Sequence, residues 1–144
     1  MASDTMLTMG DEKAFGASKM FQTTKYLVGM AGAASNLVPF RDWLKAHELA
    51  CSEASELHHH WDTIPAYGDG FTALLVDNYG EIWNCGTTFP PMTIGRAFDA
   101  IGSGSGFAMA AMECGRSAAD AVGIACKYDV FTGGAVAVFK QKNL

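Results

Sequence analysis

The chain has 144 residues, of which 49% are hydrophobic, enough for one domain spanning 1–144 with a sizeable core. A net charge of -5 and the lack of any Lys/Arg cluster argue against nucleic acid or an anionic membrane as the main partner. The longest apolar runs fall far short of a membrane span, and Cys51, Cys85, Cys114 and Cys126 show no paired spacing, so a cytoplasmic protein with reduced thiols is expected rather than a disulfide frame or a zinc site.

In chain order, residues 5–9 and 18–24 read as strands, joined through a polar turn over 10–13 and Gly16. Residues 25–32, KYLVGMAG, make a buried strand that ends in small residues. Ser35 or Asn36 then caps a helix, and Pro39 is acceptable because it falls in the first turn. Leu37, Phe40, Trp43, Leu44 and His47 share one side of that helix, which continues or restarts through 50–61. Residues 71–77, a turn at 78–80 and residues 81–85 form a hairpin, and Pro90 and Pro91 mark a loop. Residues 98–101 read as a short strand ending in Gly-Ser-Gly-Ser-Gly, with a helix over 107–114 after it. Ser117, with Asp120 three residues on, caps a second helix to Tyr128. Thr132-Gly133-Gly134 breaks it, and 135–140 reads as a last strand. The plan is α+β, with helices on both outer faces of stacked sheets.

Several features invite a chemical reading and do not sustain it. The glycine run 102–106 lies between a strand and a helix, but a dinucleotide fingerprint needs its third Gly at 107, which is Phe, and no P-loop Lys follows. His58, His59 and His60 are consecutive, so on a helix they point about 100° apart and cannot converge on one ion. No metal site is read from the sequence. Asp4, Lys19, Ser103 and Asp129 are each ordinary surface residues unless the fold gathers them.

Taken together, AIGSGSGFAMAAM, the YDVFTGG after it and the earlier LVGMAGAAS resemble the proteasome β subunit and its bacterial relative HslV, over nearly the whole chain. These are N-terminal nucleophile (Ntn) hydrolases, so the resemblance implies a four-layer α/β/β/α sandwich. It also implies roles. A Thr at the mature N-terminus attacks the peptide carbonyl with its own α-amino group as base. Lys19 matches the lysine that eases the developing alkoxide, and Asp4 the carboxylate paired with it. Ser103 and Asp129 match the pair holding the amino terminus, with Thr132 beside them. Gly32 matches the oxyanion glycine. Thr8, Gly32 and Ala34 would line a cleft where substrate adds as a strand, with Met30 at its side-chain pocket. By analogy with HslV, the only cofactor implied is a monovalent cation near Cys126, Asp129 and Thr132.

One departure stands out. Asp4 is the fourth residue, and neither Ser3 nor Thr5 can reach the site while Asp4 keeps its place. The resemblance thus implies a sandwich missing its first strand and inactive as it stands. Met1 is then either internal to a longer active enzyme or the start of a short, non-catalytic relative. The active reading implies a threonine-type peptidase subunit in a self-compartmentalising homo-oligomeric ring, with polypeptide as substrate and an ATP-dependent unfoldase as partner. A structural or regulatory relative, or a small-molecule amidase of the same fold, stays open.

Overall fold

A computed structural model describes residues 1–9, 12–14, 16 and 18–140. Its centre is an antiparallel sheet in which β4 (Met20–Gln22), β5 (Tyr26–Gly32), β6 (Phe71–Asp77), β7 (Ile82–Gly86) and β8 (Phe89–Thr93) lie side by side in chain order. Pairing of Val28 with Leu75 and of Leu75 with Trp83 sets the register. Because strand side chains alternate, this register puts Tyr26, Val28, Met30, Phe71, Ala73, Leu75, Trp83 and Cys85 into one core.

Helix α1 (Leu37–His47) covers that face with Phe40, Trp43 and Leu44, so the predicted helix face is the one that is buried. Phe40 is wholly buried and is the hub: its ring centroid lies 4.6 Å from Phe71, 6.1 Å from Trp43 and 6.2 Å from Trp61. The opposite face of the sheet, with Leu74, Val76 and Ile82, looks across a cavity toward α2 (Ser105–Glu113) and α3 (Ala118–Tyr128). Those helices pack on each other through Ala108, Ala111 and Ala121, small residues that let the backbones approach closely. Short ladders join β1 (Ala2–Ser3) to β9 (Ala137–Val138) and β2 (Leu7–Met9) to β3 (Glu12–Ala14).

Several expectations need correction. The stretch 50–61 is not α-helical; 3-10 segments occupy Glu48–Ala50 and Ala54–Thr63. Pro90 and Pro91 lie in β8 rather than a loop, which is possible because β8 is an edge strand with no further neighbour in the sheet among the described residues. Residues 98–101 form no strand, β9 covers only two of the residues expected for it, and residues 5–9 are extended as a strand only from Leu7. Lys13 stands in β3 rather than a turn, and residues 10 and 11 of that turn lie outside the described residues. Asn36 sits at the N-cap of α1 but its side chain makes no cap bond. The cap expected at Ser117 is present, with its side chain accepting from the Asp120 N–H.

Phe40→Ala is expected to cost about 3–5 kcal/mol in denaturant unfolding, because it empties the centre of the aromatic cluster. Val38→Ala, two residues away at a half-exposed position, is expected to change stability by less than about 0.5 kcal/mol.

Candidate active site

The Asp4 carboxylate follows β1 and is buried. Lys19 Nζ donates to its Oδ1 at 2.7 Å, and the Gly133 N–H donates to its Oδ2 at 3.0 Å. Thr5 N–H donates to the Gly133 carbonyl at 3.2 Å, so the corner after α3 is tied to the chain on both sides. Lys19 is mostly sheltered, with 21% of its side chain exposed, which makes this pair less screened than an open surface bridge.

A second cluster forms where α2 begins and α3 ends. Ser103 Oγ donates to Asp129 Oδ2 at 2.5 Å, and Thr132 Oγ1 donates to the same oxygen. Gly104 permits this: a Cβ there would lie 2.8 Å from Thr132 Oγ1 and 3.0 Å from Ala125 Cβ. Burial works against the Asp129 carboxylate, but the Ser103 and Thr132 hydroxyls, the Phe131 N–H and the Lys13 charge outweigh it and hold its pKa below the ordinary value. Burial pushes the nearby Cys126 thiol up, Asp4 and Asp129 add to that and Lys19 opposes it.

Both clusters face one cavity of about 960 Å³, lined by Asp4, Lys19, Met30, Gly32, Ala34, Ser103 and Thr132. Asp129 meets it through its two hydroxyl partners. Thr8 lies in β2, and its side chain is outside the described residues. Gly32 is exposed at the cavity edge, with φ of +113° and a missing Cβ that would meet Gly70 O at 2.6 Å, so both backbone and space demand glycine.

At the corner where the resemblance implies a monovalent cation, the Asp129 carbonyl accepts from Thr132 N–H at 3.2 Å and the Val130 carbonyl accepts from the Lys13 ammonium at 2.9 Å. Lys13 thus supplies a positive charge at this corner, where the sequence suggested only a turn residue. His58 and His59 lie exposed on the 3-10 segment, remote in sequence and element from these clusters, while the His60 ring packs 4.9 Å from His47. Sequence reasoning took Asn36 only as a helix cap and passed over Asp69; the placement of both emerges from the fold.

No protein-family model matches the sequence, and no curated protein matches it. Solved structures do. Eukaryotic HslV from Trypanosoma brucei superposes with a TM-score of 0.76 at 21% identity, over 94% of this chain and 88% of that one. Thiobacillus denitrificans BPH superposes at 0.72 and 18% identity, and its complex with epoxomicin at 0.69 and 18%, each over the same shares of the two chains. The fold is therefore the α+β fold seen in HslV and BPH. Fold alone does not carry chemistry, which has to be argued from the site.

A carboxylate whose pKa is lowered on folding adds stability above its unfolded value and loses it as pH falls through the folded one. The gap in melting temperature between the native chain and Asp129→Asn is accordingly expected to be widest at neutral pH and to close below about pH 4, as read by thermal melts.

Proposed function

We propose that this chain is a threonine-type peptidase subunit of proteasome β/HslV kind, acting on unfolded polypeptide within a self-compartmentalising homo-oligomeric ring fed by an ATP-dependent unfoldase in the cytoplasm. The observation that supports this most is the meeting of the Lys19 and Asp4 pair with the Ser103, Asp129 and Thr132 cluster on a single cavity. Unrelated surface residues have no reason to converge from positions 4, 19, 103 and 129.

In this reading a Thr hydroxyl is the nucleophile and its own α-amine takes the proton, because a hydroxyl attacks poorly until a base relieves it. Ser103 and Asp129 orient that amine. The Lys19 ammonium lowers the cost of the alkoxide as it forms, and Asp4 keeps the ammonium charged and aimed. The Gly32 N–H receives the oxyanion, a kind of donor whose loss costs enzymes about 3 kcal/mol. Thr8, Gly32 and Ala34 line the cleft where the incoming segment pairs as an added strand, with the buried Met30 at its side-chain pocket.

Among the described residues no hydroxyl bearing a free α-amine faces Lys19. We therefore read residues 1–144 alone as inactive, with turnover requiring a Thr-led strand in the cavity. A space this large between Leu74, Val76 and Ile82 on one side and Ala108, Met112 and Val122 on the other suits such an occupant, since protein interiors pack densely.

Residues 1–144 are expected neither to cut fluorogenic peptides nor to gain the mass of an epoxomicin adduct. A form extended ahead of Met1 by a strand that begins with Thr is expected to do both, and Lys19→Ala in that form to lower kcat/KM about a hundredfold or more. Absence of hydrolysis and adduct in both forms would instead identify a non-catalytic relative.

A further inference from the structure

The turn over residues 67–70 is fastened to the edge of the cavity by one buried side chain. Asn36 is completely buried; its Nδ2 donates to Tyr67 O at 2.9 Å, Ala33 O at 3.2 Å and Gly70 O at 3.3 Å, and its Oδ1 accepts from Tyr67 N–H at 2.7 Å. The Ala33 N–H adds a bond to Gly70 O at 3.0 Å. Contact is close along the same seam, where a Cβ on Gly68 would meet Ala33 Cβ at 3.6 Å. With every polar atom of the Asn36 amide committed, residues 32–34 and 67–70 form one wall.

That wall carries Asp69, which lines the cavity and has no ion pair or hydrogen bond among the described residues. The other carboxylates lining the cavity are answered: Asp4 pairs with Lys19, and Asp99 accepts from Asn84 and pairs with Arg96, while the Met1 ammonium donates to the Phe139 carbonyl. One uncompensated negative charge therefore stands beside the edge where an extended segment would lie. Asp69 is exposed, so a cationic group bound beside it gains the modest, salt-sensitive attraction of a surface pair.

We propose that the turn pinned by Asn36 is the specificity wall of this cleft, and that the Asp69 carboxylate selects polypeptide segments carrying Lys or Arg at the position beside Ala33. Asp69 recognises the side chain, and Asn36 is a positioning residue that holds Asp69 against the cleft edge. The inference rests on the reading of the cavity as a peptide cleft, and names what that cleft prefers.

Binding needs no turnover, so residues 1–144 serve as they are. Fluorescence anisotropy with labelled pentapeptides that differ at one position is expected to show Arg binding about threefold more tightly than Leu and Glu more weakly than either, the range of an exposed ion pair. Raising the salt to about 1 M, where charges are screened within about 3 Å, is expected to erase the ranking. Asp69→Asn should equalise Arg and Leu while leaving Leu binding unchanged, and Asp69→Lys should favour Glu. Asn36→Ala should lower the Arg-to-Leu ratio although Asp69 is still present, a change that reduced stability alone does not produce below the melting temperature. Peptide binding with no Arg preference, or with a preference that survives Asp69→Asn, would overturn this inference and leave the cleft standing. If no peptide binds, the cleft and the inference fall together.

Discussion

The two oxygens of the Asp4 carboxylate have different partners, and the site depends on that division. One oxygen holds the Lys19 ammonium just before β4, and the other holds the Gly133 N–H in the corner that follows α3. Segments distant in sequence are thereby fixed at a common point, and each oxygen of a mostly buried carboxylate has a donor. Removing Lys19 leaves a buried negative charge, and removing Asp4 releases both the ammonium and the Thr132–Gly134 corner. The position of Thr132, and through it that of Asp129 and Ser103, follows from this anchor.

The cavity between sheet and helices follows from the same arrangement. The face of the sheet toward α1 is filled by large side chains, with Phe40, Leu44, Leu57 and Leu75 fully buried. The other face meets mainly alanines from α2 and α3, which pack tightly on each other and leave the sheet uncovered. Polar groups such as Asp4, Lys19 and Ser103 and apolar groups such as Leu74, Val76 and Ile82 line the same gap. HslV and BPH share this fold at low identity, so the correspondence in architecture is sound while the chemistry has to rest on the residues themselves.

Elements with strong local signals were legible in the sequence: the hairpin of β6 and β7, the buried face of α1, and the Ser117 cap of α3. Elements decided by tertiary context were not. Pro90 and Pro91 read as a loop, yet they lie in an edge strand whose ladder, among the described residues, runs to β7. Asn36 carries the signature of a helix cap, but the nearby Tyr67 and Gly70 backbone groups, brought close by pairing of β5 with β6, compete successfully for its amide. Lys13 looked like a turn residue because nothing local shows that the Val130 carbonyl lies within reach. For the site, resemblance rather than periodicity named Asp4, Lys19, Ser103 and Asp129; the fold supplied their meeting place and added Asp69.

The central claim is that this meeting place receives the free amino end of a Thr-led strand, and chemical-shift mapping tests it most directly. A short β-forming peptide beginning with Thr and carrying a free amine should shift the Lys19, Gly32, Ser103 and Asp129 backbone resonances together, and the N-acetylated peptide should not. Shifts that ignore acetylation, or that move Lys19 without Ser103 and Asp129, would contradict it.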